Sequence, residues 1–170
     1  MKYLLTSILN ILLLTTPVHA VEKASEKRLN EIVQRGIHVM PFDLEQTTHV
    51  FSKSVKGGIQ KVMVNDVANI KQINLIREHL TKISHEFKQG NFSNPEKIHG
   101  NAMPGLKELR QAKPTEINIE YKDLPNGAEI TYSTEIPTLI TAIHQWFDAQ
   151  LSDHARHAIS GHSNHQIHNK

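Results

Sequence analysis

Two glycine-containing turns limit the folds open to this chain more than any other feature of its sequence. Lys56-Gly57-Gly58 and Pro125-Asn126-Gly127 each lie between two segments in which apolar and polar residues alternate. Glycine supplies the positive φ that a tight reversal requires, and alternation is typical of a strand with one buried face. Each turn therefore predicts a β-hairpin.

Each predicted hairpin is followed by a segment with the apolar spacing of a long helix. The first runs from Asp66, as N-cap, to Phe87, and the second from about Glu135 to about His157, with Pro137 in its first turn. Apolar residues recur at steps of three and four, which places them on one helix face. These residues are Ile73, Ile76, Leu80, Ile83 and Phe87 in the first helix, and Leu139, Ile140, Ile143, Trp146, Phe147 and Leu151 in the second.

This order of elements predicts an α+β domain. Two β-hairpin-helix units should form a mostly antiparallel four-stranded sheet, with two long helices on one face. Sliding the chain by 69 residues aligns Gly58 with Gly127, a match that fits an internal duplication or two unrelated units of similar pattern. Shorter helices are predicted before the first hairpin, over 25–34, and between the units, over 104–111.

The first twenty residues have the layout of a secretory signal peptide. A lysine precedes an apolar run from Tyr3 to Leu14, and small residues lead to a cleavage position after Ala20. The run is shorter than the ~20 residues that span a bilayer, so we expect a periplasmic protein with no membrane anchor after cleavage. The rest of the chain predicts one domain over 21–158 and a flexible histidine-rich tail over 159–170.

Composition excludes several classes of function. The chain has no cysteine, so it has no disulfide, thiolate ligand or thiol nucleophile. Its 19 Lys and Arg residues against 17 acidic residues give no strong field, and we expect no nucleic-acid binding. The chain also lacks the G-x-S-x-G, Walker and H-E-x-x-H motifs.

Histidine is present in excess, with 12 residues, of which only His19 lies in the predicted signal peptide. Imidazole is the commonest transition-metal ligand and changes its charge near neutral pH. The excess therefore indicates either metal binding or a response to pH. The alternative is that most of these side chains lie on the surface.

Two short segments combine histidine with methionine. The first contains His38, Met40 and His49, and the second contains His99 and Met103. Thioether with imidazole suits copper, whereas imidazole with carboxylate suits zinc. If the first segment opens a strand, His38 and Met40 point to the same side of it. These five residues are the predicted ligands of a copper or zinc site; the alternative is that the methionines are core residues.

A second group of histidines closes the chain. His154 and His157 lie one turn apart if the last helix continues through them, so both could reach one ion. His162, His165 and His168 recur every three residues in a polar tail. Such a tail binds metal weakly, because ordering it costs entropy. This group is the predicted secondary metal site.

Two other functions remain open. His144 and Asp148 lie one turn apart on the last helix and form a candidate catalytic pair, since the carboxylate would fix the tautomer of the imidazole. The alternative is a simple hydrogen bond at the surface. In a third interpretation the protein is an interaction module, in which residues 36–42 dock onto a partner or a second copy in a homodimer and the histidines respond to pH.

Four stretches resemble a family of small exported proteobacterial proteins of unestablished activity: HVMPFDLEQTTHVF, QINLIREHL, IHGNAMPGL and AIHQWFDAQLSDHA. Some members carry the label aspartate carbamoyltransferase. Carbamoyltransferases are much longer two-domain enzymes with a Ser-Thr-x-Thr phosphate loop, which this chain lacks. The resemblance therefore implies export but no site residues. Together, these patterns favour a small periplasmic protein that binds a transition metal or another small ligand.

Overall fold

The structure, a computed structural model, describes residues 21–161. Within this range the chain forms five α-helices, a single 3-10 turn at Leu44–Gln46 and five strands. In chain order the elements are α1 (Glu26–Gly36), β1 (Thr47–Ser54), β2 (Gly57–Val64), α2 (Ile70–Lys88), α3 (Ser93–His99), α4 (Leu106–Gln111), β3 (Asn118–Leu124), β4 (Gly127–Ser133), α5 (Pro137–Asp153) and β5 (Ala158–Ser160).

The two predicted hairpins supply four of the five strands of one sheet, with strand order β3-β4-β2-β1-β5. Each hairpin pairs with itself antiparallel, and β2 also pairs antiparallel with β4, so that the two units meet at the middle of the sheet. The α+β class and both hairpins are confirmed.

The edge strand β5 was not predicted, and it changes the number and direction of the strands in the sheet. It pairs in parallel with β1, so the sheet has five strands and is mixed rather than four-stranded and antiparallel. The backbone N–H of Gly161 also bonds to the carbonyl of Phe51, at 2.9 Å. Residues 159–161 therefore continue the sheet edge instead of starting a flexible tail, and residues 162–170 lie outside the described part of the chain.

The two long helices cover one face of the sheet. Cross-strand partners on that face, such as Gln60 with Ile130 and Val62 with Ala128, are all buried. Helix α2 packs on β3 and β4, whereas α5 packs on β1 and β2, so each helix lies over the hairpin of the other unit. The predicted stripe of α2 is buried throughout, and in the stripe of α5 only Ile140 and Leu151 remain half-buried.

The helix ends differ from the predicted ones, and at α2 a side-chain cap explains the difference. The N-cap of α2 is Asn69, whose side chain accepts the N–H of Gln72 at 3.2 Å, while Asp66 accepts the N–H of Ala68 in the preceding turn. Helix α5 ends at Asp153, and His154 follows it as the C-cap.

Two segments that flank the core differ from the structure predicted for them. Residues 37–43 do not open a strand: the N–H of Met40 bonds back to the carbonyl of Gly36 at 2.8 Å, and β1 begins only at Thr47. Helix α3 was not predicted, because Pro95 and Gly100 indicated turns.

None of the helices within the described range is long and apolar enough to cross a membrane.

Candidate functional site

Four histidines from different parts of the chain line one internal cavity beneath the sheet. His49 comes from β1, His79 from α2, His99 from the end of α3, and His154 from the residue after α5. The cavity volume is about 40 Å³. A water molecule needs about 10–15 Å³ by this measure and drug-sized ligands need about 300 Å³ or more, so the cavity suits an ion with one or two small ligands.

Local structure explains why each of these histidines points inward. Residues of β1 alternate between the buried and open faces, and His49 lies on the buried face between Thr47 and Phe51. Its N–H also bonds to the carbonyl of His157 at 2.7 Å, which ties the chain end to β1. His154 is placed where α5 ends against the same face, and it is buried.

Among the cavity histidines, His99 and His154 are in hydrogen-bond contact. Their Nε2 atoms lie 3.2 Å apart, and the rings are nearly perpendicular at 79°. The ring of His49 stacks on that of His154, with centroids 5.4 Å apart and planes at 21°. Three imidazoles therefore form one contiguous group.

An ion pair at the rim orients His99. The Arg28 guanidinium donates two hydrogen bonds to the Asp153 carboxylate, from Nε to Oδ1 at 3.0 Å and from Nη2 to Oδ2 at 2.6 Å. Nη2 also donates to the backbone carbonyl of His99 at 2.7 Å. Asp153 Oδ2 lies 2.8 Å from His99 Nδ1. Because a carboxylate accepts hydrogen bonds, Nδ1 carries the proton and His99 Nε2 presents a lone pair to the N–H of His154.

The charges of these groups follow from their surroundings. Burial would raise the pKa of Asp153, but hydrogen bonds from His99 and Arg28 outweigh it and hold that pKa below its usual value. Burial lowers the pKa of His99, an effect that Asp153 only partly opposes. At neutral pH the pair is therefore an ionised carboxylate with a neutral imidazole.

The other imidazoles are also neutral. Burial lowers the pKa of His49 to about 3, with smaller contributions from the nearby His157, His79 and His99. It lowers the pKa of His79 to about 4 and places that of His154 well below its usual value. Neutral imidazole is the form that binds metals.

Two polar atoms of the cavity wall lack a protein partner. Among the residues from 21 to 161, none offers a hydrogen bond to His49 Nε2 or to Trp146 Nε1, although both atoms are buried. Buried polar groups without a partner are rare, and each one requires an explanation. The amide of Gln60 and the side chain of Met40 also line the cavity, and Gln60 Oε1 accepts the Tyr132 hydroxyl at 2.9 Å.

The structure brings together three of the five residues predicted as main ligands. Met40, His49 and His99 line the cavity. His38 does not join them, because it lies exposed in the turn after α1. Met103 is buried but lies on the other side of His99, in an outer cleft that Arg28 and Asp153 also line.

Two of the cavity histidines, His79 and His154, are not among the main metal ligands that the sequence predicts. The sequence predicts His154 only as part of the secondary metal site, and it does not single out His79. His79 follows Ile76 by three residues and precedes Ile83 by four, so it belongs to the apolar stripe of α2. That position was the available signal, since an imidazole within an apolar stripe faces the core.

The remaining candidates have other partners. Nε2 of His144 lies 2.9 Å from the carbonyls of Ser54 and Gly57, and Asp148 pairs with Lys53 at 2.5 Å, so these two side chains serve separate contacts. His157 Nε2 lies 2.9 Å from Glu45. The tail residues His162, His165 and His168 are outside the described range.

Within residues 21–161 no three His, Asp or Glu side chains converge on one point as a metal site requires. The His99 and His154 nitrogens lie 3.2 Å apart, and His49 meets this pair through its ring stack on His154. The chain matches no family model, no curated protein and no solved structure. Its resemblance to small exported proteobacterial proteins stays a prediction.

Proposed function

We propose that this is an exported protein that binds one transition-metal ion between His99 and His154, with His49 as the third ligand. The 3.2 Å separation of the two Nε2 atoms carries the proposal. Zinc-bound nitrogens sit ~2.0 Å from the metal, and at tetrahedral angles two of them lie about 3.3 Å apart. The hydrogen-bonded pair is therefore close enough to become two ligands of one ion once His154 carries its proton on Nδ1 instead of Nε2.

His49 supports the proposal as the third ligand. Its Nε2 atom is buried without a partner among the described residues, and its lowered pKa keeps the lone pair free at neutral pH. His49 also lines the same cavity as His99 and His154. Binding an ion would then satisfy a polar atom that the folded protein leaves unpaired.

The contacts behind the ligands also fit a metal site. A ligating histidine usually donates its second nitrogen to a carboxylate, which fixes its tautomer and raises its basicity. His99 makes this contact with Asp153, and Arg28 holds the carboxylate from behind. None of these contacts requires a protonated histidine.

Zinc and copper are the ions favoured by these residues. Imidazole binds both, and a methionine thioether adds affinity for monovalent copper. Met40 lines the cavity and is the soft atom available to such an ion. The signal-like residues 1–20 place the protein in the periplasm in this proposal, and the tail histidines would act as a weaker, secondary site.

Calorimetric titration of the mature chain with Zn(II) and Cu(I) tests the proposal. His162, His165 and His168 are replaced by alanine in every sample, so that the tail does not contribute. We expect one ion per chain with a Kd below micromolar. The variants H99A and H154A should each weaken binding at least about 100-fold, since a ligand matters more than the residues behind it.

H38A is the matched control, because His38 is an exposed histidine and should not affect binding. Circular dichroism of each variant verifies that it is folded. Binding weaker than micromolar, or binding that survives both H99A and H154A, would show that the site is elsewhere or does not exist.

A further inference from the structure

We propose that two copies of this chain associate through the outer edge of β3, in an antiparallel pairing centred on Tyr121. The five strands of each copy would then form one continuous sheet across a two-fold axis. This inference does not rest on the proposed function, because β3 contributes no residue to the histidine cavity.

Strand β3 is the long open edge of the sheet. It is the first strand in the order β3-β4-β2-β1-β5, and within residues 21–161 it pairs only with β4. This pairing runs without interruption from Asn118 to Leu124, so neither a bulge nor a proline protects the edge. The opposite edge strand, β5, has only three residues. A long edge strand of this kind offers a row of backbone groups to a further strand.

The hydrogen bonds of β4 determine which residues of β3 face outward. The N–H of Val64 in β2 bonds to the carbonyl of Asn126, just before β4, at 2.9 Å. Because backbone groups alternate in direction along a strand, even-numbered residues of β4 bond to β2 and odd-numbered ones bond to β3. Each odd-numbered residue of β4 pairs with an even-numbered residue of β3. The N–H and C=O groups of Ile119, Tyr121 and Asp123 therefore point away from the sheet.

Charge selects one register among those that would pair these outward groups. A two-fold pairing centred on Glu120 or on Lys122 would place like charges directly opposite each other, which is unfavourable. A pairing centred on Tyr121 instead places Glu120 opposite Lys122 of the second copy, and Lys122 opposite its Glu120. Both side chains are exposed in the single chain. They would occupy non-hydrogen-bonded positions, where side chains on neighbouring strands approach most closely.

This register also gives the longest overlap of the two strands. All seven residues of β3 would face a residue of the second copy, whereas a centre at Ile119 or Asp123 would pair fewer of them. Tyr121, which packs half-buried against the core, would meet its own counterpart across the axis and add an aromatic pair. The same pairing would satisfy the outward backbone groups on both strands.

The size of the contact predicts a weak dimer. A standard stable interface has about 20–30 residues on each side, and seven paired residues are far fewer. We therefore expect a Kd of about 10–100 μM for the association of two copies.

Sedimentation equilibrium of the mature chain measures this association, with a chelator present to exclude bridging by metal. E120K should weaken the dimer at least about tenfold, because the symmetry turns both Glu–Lys pairs into Lys–Lys pairs. K122E should act in the same direction by creating two Glu–Glu pairs. E108K is the matched control: Glu108 is an exposed carboxylate in α4, and its replacement changes the net charge equally. Circular dichroism verifies that each variant is folded.

A mixture of the two variants provides the strictest test of the register. The E120K strand presents two lysines and the K122E strand presents two glutamates, so the mixed dimer restores both pairs of opposite charges. We expect the mixture to associate at least about tenfold more tightly than either variant alone.

Hydrogen exchange of the unsubstituted chain identifies the surface without any substitution. The amides of Ile119, Tyr121 and Asp123 should exchange more slowly at concentrations above the Kd than below it, because the second copy would accept their hydrogen bonds. The amides of Glu120 and Lys122 already bond to β4 and should change less.

Three results would overturn the proposal. The chain could remain monomeric at about 1 mM, well above the expected Kd. A dimer could form with the outward amides exchanging as fast as in the monomer, or with E120K having no more effect than E108K, and either outcome would place the contact elsewhere. The proposed function is unaffected by these results, since it is tested by metal binding to a single chain.

Discussion

At the scale of single residues, Asp153 determines the chemistry of His99. The carboxylate lies at the end of α5, beside the last turn of α3, and it receives two hydrogen bonds from Arg28 in α1. It therefore joins three helices around one imidazole. Because Asp153 fixes the proton of His99 on Nδ1, the other nitrogen is always free to meet His154 or an ion.

Replacing Asp153 by asparagine should lower zinc affinity about 10- to 100-fold, the usual effect of losing the residue behind a ligand. The amide keeps the shape of the carboxylate but removes its charge, so the basicity of His99 falls. D148N is the control, since Asp148 lies in the same helix and pairs with Lys53 at the surface. Competition titration with a chromophoric chelator measures both variants, and equal effects in the two would contradict a specific role for Asp153.

At the scale of elements, α4 packs closely on α5. Gly105, the N-cap of α4, has a φ of +75°, and a Cβ on it would lie 2.1 Å from the carbonyl oxygen of Ala142 in α5. Gly100 has a similar φ of +88°, but a Cβ there would meet no atom within 4 Å. An alanine at Gly100 therefore introduces backbone strain alone, whereas an alanine at Gly105 adds a steric overlap with α5.

We expect G100A to lower the free energy of unfolding by about 1–3 kcal/mol, because Gly100, with φ of 88° and ψ of 165°, lies in a backbone region that essentially only glycine adopts. G105A should lower it by at least about 1–3 kcal/mol more, because the helices must also move apart. Urea denaturation of both variants gives the two values. Equal losses would mean that α4 and α5 can separate freely.

A second link between elements joins α5 to the turn of the first hairpin. His144 donates from Nε2 to the carbonyls of Ser54 and Gly57. H144A should therefore lower the free energy of unfolding by about 1–3 kcal/mol, since it leaves these acceptors without their donor. Zinc affinity should not change, and a loss of affinity without a loss of stability would favour a functional role for His144.

At the scale of the whole molecule, the neutral histidines make stability depend on pH. His49 and His79 keep pKa values of about 3 and about 4 in the folded state because both are buried. In the unfolded chain their pKa values return to about 6.5. Between these values the unfolded state binds more protons, so acid favours unfolding.

The metal-free chain should lose stability as pH falls from 6.5 towards 4, by up to ~1.4 kcal/mol per pH unit for each of the two groups. Above pH 7 both states are neutral and this dependence should disappear. Urea denaturation at pH 7.5, 6 and 5 measures the slope. H79Q should reduce it and H38A should not, whereas a flat profile for the unsubstituted chain would contradict neutral burial of these side chains.

The sequence by itself determined the elements whose pattern is local. Two turns with glycine, two alternating pairs of segments and two apolar stripes were sufficient for the hairpins and the long helices, because each pattern extends over several turns or residue pairs. It did not determine β5 or α3. A three-residue strand has too few positions to show alternation, and it forms because β1 offers it a free edge.

Only the tertiary structure decided the composition of the candidate site. His49, His99 and His154 are separated by 50 and 55 residues, and no local pattern relates positions so far apart. The packing of α5 on β1, together with the ion pair of Arg28 with Asp153, brings them together and leaves His38 in solvent. Strand alternation and helix stripes therefore indicate that His49, His79 and His154 face the core, whereas His99 lies in α3, which local pattern did not predict, and the fold decided which of these side chains meet.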